Sequence, residues 1–180
     1  MNLDEIQQME QEWNETTPKL ENAYGFQPFR MHDFRVMLMI AASNTKGRKF
    51  LDAGCGIGSK VWVAQNEFGL DAYGIDIVDE YLSQAHSIGV RAGFADIRDY
   101  QAFGEYDIIY YYGPFREYGE QAAFETRLHA EMKPGALLMT VLAAVKPYSW
   151  EQVFRRPWQG IWRKPDNGGQ RVPRRRAPLQ

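Results

Sequence analysis

The sequence predicts an α/β protein built on a doubly wound, mostly parallel β-sheet, and three observations lead to this fold class. Short, nearly continuous apolar runs alternate with helix-like segments between residues 49 and 143, as in parallel sheets that are covered on both faces. A glycine-rich turn joins the first apolar run to a helix-like segment. The 180 residues, of which 44% are apolar, suffice for one domain with a hydrophobic core.

Two helices are predicted before the sheet begins, and residues 1–46 form an N-terminal helical lid or cap. Residues 2–15 carry an apolar stripe at helical spacing, made of Leu3, Ile6, Met9 and Trp13. Asn2 and Glu5 have the spacing of a capping box at the start of this helix. The second helix is predicted over residues 31–43.

Five strands and three helices are predicted to alternate in a core domain over residues 47–145. The strands cover 49–53, 72–76, 90–95, 106–112 and 136–143, and the helices cover 59–68, 79–88 and 121–132. In open α/β sheets, ligands bind at the carboxyl ends of the strands, near the point where the strand order reverses. The glycine-rich turn follows the first strand and is therefore expected at that edge.

Glycine and aspartate residues gather at the ends of the first three strands. The first strand runs into Asp52-Ala53-Gly54-Cys55-Gly56-Ile57-Gly58, and glycine lets a ligand approach the backbone closely. Asp76 ends the second strand, 18 residues after Gly58, where a carboxylate can accept hydrogen bonds from both ribose hydroxyls. Asp96 ends the third strand, near where an adenine would lie. Each of these two carboxylates could instead cap the following helix or loop.

Together, these segments resemble the class I, Rossmann-like S-adenosylmethionine-dependent methyltransferases. The glycine-rich turn resembles the family's first motif, [D/E]-x-G-x-G-x-G, and Ala95-Asp96-Ile97 resembles its adenine-binding step. Residues 106–109 and 132–136 resemble its fourth strand and the turn into its fifth. The resemblance covers about residues 48–143 and implies a 3-2-1-4-5 core. A nicotinamide-binding fold is the alternative, but its G-x-G-x-x-G fingerprint requires glycine where this chain has Ser59.

The resemblance implies S-adenosyl-L-methionine as the cofactor and assigns roles to individual residues. The methionine half would lie along the backbone of Gly54 and Gly56, with Asp52 near its amino group and Asp76 on the ribose. Ile77 and Ile97 would enclose the adenine, and Asp96 would bind its amino group. The complete predicted cofactor-binding set is Asp52, Gly54, Cys55, Gly56, Gly58, Asp76, Ile77, Asp96, Ile97 and Tyr111.

The segment after the fourth strand is where the family's acceptor meets the methyl group. Enzymes that methylate amino groups of DNA or RNA bases carry [D/N/S]-P-P-[Y/F/W] there. This chain has Tyr112-Gly113-Pro114-Phe115, which lacks the polar first residue and the first proline and argues against an adenine or cytosine amine as acceptor. The motifs identify no catalytic base. The candidates are Tyr111, Tyr112 and His32, and packing roles are the alternative for each.

The C-terminal segment, residues 146–180, differs in charge from the rest of the chain. It holds nine Lys or Arg residues against two acidic ones, a net charge of +7, whereas the other residues hold 12 basic and 21 acidic side chains, a net charge of −9. A short helix is predicted around Trp150, Val153 and Phe154, a short strand over 160–163, and disorder from about residue 166. We expect a reduced C-terminal part of the sheet. Basic and aromatic side chains alternate here, a pattern that can bind nucleic acid or simply cap the sheet edge.

The sequence therefore predicts a methyltransferase, and a small-molecule acceptor is favoured because no separate recognition domain is present. The alternatives are an RNA or DNA methyltransferase that uses the basic segment, and a non-catalytic cofactor-binding subunit. A single cysteine, Cys55, excludes an intrachain disulfide, and no metal site is predicted. Lack of a signal-like or membrane-length apolar run predicts a cytoplasmic protein without membrane attachment. The sequence does not predict the oligomeric state.

Overall fold

The computed structural model describes residues 2–16 and 29–166. The helices are α1 (Leu3–Thr16), α2 (Met31–Ser43), α3 (Ser59–Asn66), α4 (Asp79–Ser87) and α5 (Tyr118–Glu131), and a 3-10 turn covers Phe103–Glu105. The strands are β1 (Lys49–Ala53), β2 (Asp71–Asp76), β3 (Ala92–Phe94), β4 (Ile108–Tyr112), β5 (Leu137–Val141), β6 (Glu151–Arg156) and β7 (Gln159–Arg163). The disorder predicted from about residue 166 concerns residues 167–180, which lie outside the described part.

The strands form one mixed sheet in the order β3-β2-β1-β4-β5-β7-β6. The first five are parallel to their neighbours, and β7 pairs antiparallel with both β5 and β6. The predicted Rossmann-like α/β class and its 3-2-1-4-5 core are confirmed. Because the strand order reverses between β1 and β4, their carboxyl ends flank the switch point at which such sheets bind ligands.

Side chains of successive strand residues point to opposite faces of the sheet, and two separate cores result. Phe34 of α2 packs edge-on against Phe50 of β1 and Tyr110 of β4, with ring centroids 6.3 and 5.0 Å away. On the opposite face, Tyr111 packs edge-on against Phe124 of α5 at 5.4 Å. The alternation therefore separates neighbouring tyrosines of β4 by the full thickness of the sheet.

The N-terminal helix α1 has the predicted cap and packs against the rest of the domain. The backbone N–H of Asn2 donates to the Glu5 carboxylate at 2.7 Å, and the backbone N–H of Glu5 donates to the Asn2 side chain at 3.0 Å. Ile6 is completely buried. The Trp13 ring lies edge-on to Tyr81 of α4 with a centroid distance of 5.5 Å. The capping-box prediction is confirmed, and α1 reaches the helices beside the first two strands.

The prediction of a short helix around Trp150, Val153 and Phe154 is wrong, because the residues that follow Trp150 form strand β6. Strand β6 turns through two residues into β7 and pairs with it. A register shift between Gln152 and Phe154 leaves both Val153 and Phe154 half-buried, so the apolar spacing imitates a helix. The strand predicted over 160–163 is confirmed as β7. The expected reduced C-terminal part is also wrong, since the β6–β7 hairpin completes a seven-stranded sheet.

Among the residues that the structure describes, two other than glycine have a left-handed backbone, and they lie side by side. Leu142 follows β5 with a φ of 58°, and Trp158 sits in the β6–β7 turn with a φ of 65°. This conformation costs an L-residue about 1–2 kcal/mol, and such strain concentrates at functional sites. The Leu142 N–H donates to the Trp158 carbonyl at 2.8 Å. The strained pair therefore lies at the carboxyl edge of the sheet, next to the end of β5.

Candidate functional site

Residues 54–58, called the glycine turn below, lead from the end of β1 into α3. The backbone N–H groups of Gly54 and Cys55 both donate to the carbonyl oxygen of Ile75 in β2 at 2.9 Å. The N–H of Gly58 donates to the Cys55 carbonyl at 3.0 Å. These bonds fix the turn at the carboxyl edge of the sheet, beside the end of β2.

The first and last glycines of the turn serve different purposes. Gly54 has a φ of 88° and Gly58 a φ of 81°, so both use backbone conformations that favour glycine. A Cβ on Gly54 would meet no atom within 4 Å, whereas a Cβ on Gly58 would lie 2.9 Å from the Cβ of Ala85 in α4. Gly54 thus faces open space at the sheet edge, and Gly58 allows α3 and α4 to pack closely.

Cys55 contributes only its backbone to the surface of the site. Its side chain is buried, and a Cβ on Gly74 would lie 2.6 Å from its sulfur, so the thiol fills the space beside that glycine. Burial raises the pKa of the Cys55 thiol well above its usual value, and the carboxylates of Asp52 and Asp76 raise it further. The thiol therefore stays protonated and unreactive at neutral pH.

Four charged side chains interact below the glycine turn. Asp52, Glu10 and Lys60 are between 2% and 6% exposed, and the Glu10 carboxylate accepts hydrogen bonds from both the Lys60 ammonium and the Ser59 hydroxyl. Burial raises the pKa of Asp52 well above its usual value; Lys60 opposes this shift, whereas Asp76 and Glu10 increase it. Among the described residues, three carboxyl groups thus share one ammonium group, so the site has an excess of negative charge whenever these carboxyls are ionised.

Sequence reasoning missed Glu10 and Lys60. They are separated by 50 positions, and only the packing of α1 against α3 brings them together. One local signal existed: Lys60 lies in the first turn of α3, where a cation is unfavourable beside the positive end of the helix dipole. A buried lysine in that position requires a carboxylate partner from elsewhere in the chain.

The Asp76 carboxylate is held in place by the backbone of the glycine turn. One oxygen accepts from the Gly56 N–H at 2.8 Å and the other from the Val78 N–H at 3.1 Å. Burial raises the pKa of Asp76, and these backbone hydrogen bonds oppose the shift. A carboxylate has about four lone-pair sites, so acceptor capacity remains for a ligand hydroxyl. The side chain therefore has a fixed orientation and unused acceptor capacity.

The substitution Asp52→Asn is expected to stabilise the cofactor-free protein at neutral pH. Because burial raises the folded-state pKa of Asp52, its contribution to stability is fully present below the unfolded-state pKa and is lost as pH rises through the folded-state pKa. The neutral amide avoids this loss. Urea unfolding of both proteins should show the gain near pH 7 and little difference near pH 4. An equal effect at both pH values would contradict the prediction.

The predicted adenine edge combines exposed and buried apolar groups. Ile77 is 40% exposed, whereas Ile97 is only 7% exposed. The Asp96 carboxylate is bound by the Arg98 guanidinium at 2.6 Å, and the hydrogen bonds from Arg98 lower the pKa of Asp96. Phe94, which is 66% exposed and lies opposite Asp76 in the strand register, was not singled out from the sequence. The sequence could have indicated Phe94 through its position two residues before Asp96, near the end of the predicted third strand.

The three tyrosines of β4 do not share one environment. Tyr110 pairs with Asp52 in the register, on the face that also carries Tyr112. Tyr111 points the other way, is completely buried, and donates its hydroxyl to Glu125 at 2.8 Å. The cofactor contact and the catalytic role predicted for Tyr111 stay predictions, and this packing disfavours both for its side chain. Period-two alternation along the strand separates Tyr111 from Tyr110 and Tyr112, but it does not specify which face meets Asp52.

Tyr110 brings an unused hydroxyl to the site. The hydroxyl is buried and has no hydrogen-bond partner among residues 2–16 and 29–166. Burial raises the pKa of Tyr110 well above its usual value, and the neighbouring Asp52 adds to the shift, so the group stays a neutral donor.

Tyr112 is half-buried, 5.6 Å from the ring of Phe29, and His32 is exposed in the first turn of α2. Tyr112 and His32 remain candidates for the catalytic base.

The loops that follow β4 and β5 are tied together by one buried carboxylate on α5. Glu125 is completely buried. It accepts four hydrogen bonds, from the Tyr111 hydroxyl at 2.8 Å, the Gln121 amide at 2.6 Å, the Ala144 N–H at 3.0 Å and the Val145 N–H. The Gln121 carbonyl accepts in turn from the Phe115 N–H at 3.1 Å. This network fixes both loops beside the end of β4.

Two further structural findings concern metals and membranes. Within the described ranges, no three His, Cys, Asp or Glu side chains are grouped so that they could hold a metal ion. None of the helices in those ranges has both the length and the apolar character needed to cross a bilayer.

Comparison with known proteins gives structural matches only. No family model and no curated protein sequence matches the chain. An RNA methyltransferase from Salinibacter ruber in complex with S-adenosyl-L-homocysteine superposes with a TM-score of 0.64 at 15% identity, covering 81% of this chain and 99% of that one. TrmN from Thermus thermophilus gives 0.55 at 20% identity, covering 73% and 48%.

A third solved structure, Haemonchus contortus phosphoethanolamine N-methyltransferase 2 in complex with S-adenosyl-L-methionine, gives a TM-score of 0.54 at 20% identity, covering 77% of this chain and 32% of that one. The chain thus spans about half the length of TrmN and a third of this enzyme. The chain has the Rossmann-like fold of the class I S-adenosylmethionine-dependent methyltransferases.

Proposed function

We propose that the chain is a methyltransferase that binds S-adenosyl-L-methionine at the glycine turn. The observation that carries this proposal is the group of carboxyls below Gly54, because burial raises the pKa values of Asp52 and Asp76 and a cationic ligand would stabilise their ionised forms. Among the described residues, Asp52, Asp76 and Glu10 are balanced only by Lys60. A cofactor with a sulfonium and an ammonium group would relieve this excess of negative charge. A dinucleotide would bring an anionic pyrophosphate to the same place, so the charge disfavours the nicotinamide alternative.

The neighbouring residues suit the parts of this cofactor. The methionine half would lie along Gly54 and the following backbone, where the space is open. Asp76 would accept hydrogen bonds from the ribose hydroxyls. The hydroxyl of Tyr110, which has no hydrogen-bond partner among the described residues, would donate to a polar group of the methionine half. Ile77 and Ile97 would enclose the adenine, with Asp96 near its amino group.

The chain's contribution to methyl transfer is mainly alignment. S-adenosylmethionine supplies an electrophilic methyl group on a good leaving group. Holding the acceptor in line with this group can lower the barrier by about 7–11 kcal/mol. A base adds roughly 10²–10⁴-fold if the acceptor must lose a proton. Tyr112 and His32 are the candidates for that task.

Calorimetric titration with S-adenosylmethionine and S-adenosylhomocysteine tests the proposal. We expect micromolar binding by the wild type. Asp76→Ala should weaken it tenfold or more, about 1.4 kcal/mol, because the ribose loses its acceptor. Asp76→Asn should weaken binding less than Asp76→Ala, since the amide keeps one carbonyl oxygen as an acceptor. Asp71→Ala is the matched control, because Asp71 is an exposed aspartate at the opposite end of the same strand.

Two outcomes would contradict the proposal. One is a folded wild-type protein that binds neither compound. The other is tighter binding of a nicotinamide dinucleotide than of S-adenosylmethionine in the same assay. Equal losses in Asp71→Ala and Asp76→Ala would show that the effect is a general response to removing a charge from β2.

A further inference from the structure

Besides the site at the glycine turn, a pocket lies at the same edge of the sheet. Because β7 runs antiparallel to β5, its first residue, Gln159, faces Val141 at the end of β5. Trp158 in the preceding turn accepts a hydrogen bond from the Leu142 N–H. The N–H of Gly113, which follows β4, donates to the Val141 carbonyl at 3.1 Å. The turn of the β6–β7 hairpin therefore borders the region that an acceptor must enter.

The lining of this pocket, called the hairpin pocket below, is positively charged. It includes Lys146, Arg155 and Arg156, and no carboxylate from the described residues lines it. Arg156 lies 3.7 Å from Asp33. Lys146 and Arg155 form no ion pair within the described part of the chain. Two cations are thus available for an anionic ligand.

The same pocket presents an aromatic ring and an unpaired amide. Trp158 is 76% exposed, although its backbone is held in a left-handed conformation with a φ of 65°. The side-chain oxygen of Gln159 is buried without a hydrogen-bond partner among the described residues. An exposed ring suits stacking, and an unsatisfied amide oxygen suits an amino group on a ligand.

We propose that the hairpin pocket binds a single-stranded nucleic acid, which would make this class of molecule the methyl acceptor. Trp158 would stack on a base, as aromatic side chains do in single-strand binding proteins. Lys146 and Arg155 would contact phosphates, and Gln159 would accept from a base amino group. This assignment of acceptor rests on the proposed function. The sequence favoured a small molecule, but Lys146 and Arg155, which form no ion pair with the described residues, lie beside an exposed ring and match a nucleic acid better.

Fluorescence anisotropy with the full-length chain tests the proposal. The probes are a single-stranded RNA of about 12 nucleotides, the DNA of the same sequence, and the RNA duplex. We expect the single strands to bind more tightly than the duplex, with affinity falling steeply between about 50 and 200 mM salt. The tighter-binding single strand, RNA or DNA, identifies which of the two nucleic acids is the acceptor.

Four substitutions separate stacking from general charge. Trp158→Ala should weaken single-strand binding about tenfold, and Trp158→Phe should restore most of it. Arg155→Glu should weaken binding at least tenfold and lower the salt slope by about one. Lys46→Glu, which changes the charge by the same amount at an exposed site before β1, should change binding less than twofold.

The outcomes distinguish this proposal from the proposed function. Failure of S-adenosylmethionine titration with intact oligonucleotide binding would overturn the proposed function alone. Normal cofactor binding with no oligonucleotide binding at low salt would overturn the hairpin-pocket proposal alone. Equal losses from Lys46→Glu and Arg155→Glu, or a duplex preference, would also overturn it, because neither agrees with a local single-strand site.

Discussion

Replacing Glu125 by alanine is expected to lower the free energy of unfolding by about 3–5 kcal/mol, because several buried donors lose one shared acceptor and each costs roughly 1–3 kcal/mol when left unsatisfied. The carboxylate is completely buried and accepts four hydrogen bonds, two of them from backbone N–H groups of the loop after β5. Alanine cannot accept any of them. Urea unfolding followed by circular dichroism measures the loss, and an unchanged m-value would assign it to the folded state.

Two variants control for this result. Glu125→Gln keeps a carbonyl acceptor but places its amide N–H group among the donors that bind Glu125. An intermediate decrease in the free energy of unfolding is therefore expected. Glu120→Ala removes an exposed carboxylate from the first turn of the same helix, and should cost less than about 1 kcal/mol. If Glu125→Ala unfolds within 1 kcal/mol of the wild type, the network does not hold the two loops.

Gly54→Ala is expected to weaken S-adenosylmethionine binding by about 100-fold, close to 2.7 kcal/mol, while leaving the fold intact. The added Cβ meets no protein atom within 4 Å, so it projects into the space proposed for the methionine half. The positive φ of 88° adds strain of about 1–2 kcal/mol. Calorimetric titration and urea unfolding of the same sample separate the two effects.

Gly58→Ala is the matched comparison, because its φ of 81° imposes nearly the same backbone strain. Here the added Cβ lies 2.9 Å from the Ala85 Cβ, and overpacking of this kind costs a further 1–3 kcal/mol or so. We expect Gly58→Ala to be the less stable variant and Gly54→Ala the weaker binder. The reverse ranking would mean that the cofactor does not lie against Gly54.

The sequence predicted the features that depend on local patterns. The parallel core follows from alternating apolar runs, and the strand order follows from the family resemblance carried by the glycine turn and Asp76. The predicted contact of Tyr111 stays a prediction, which the burial of its side chain disfavours; three consecutive tyrosines make the strand's two faces chemically alike. Only the packing of Phe34 and Phe124 on opposite faces reveals which tyrosine reaches Asp52.

Features that depend on distant contacts could not be predicted. The pairing of Glu10 with Lys60 requires α1 to pack on α3, and nothing in the spacing of either residue specifies it. The β6–β7 hairpin was missed for a related reason: a bulged strand places apolar residues at intervals that also fit a helix turn, and pairing with β7 decides between them. The cofactor roles of Ile77, Ile97 and Asp96 stay predictions.

The position of β7 between β5 and β6 has a practical consequence for shortening the chain. The basic C-terminal segment looks like a removable tail, yet residues 151–163 supply two strands of the sheet. A chain that stops at residue 145 would leave the whole of β5, Leu137–Val141, with an unpaired edge, and such edges invite aggregation. Deletions meant to remove positive charge should therefore begin after residue 166, and the charges before it are better changed one side chain at a time.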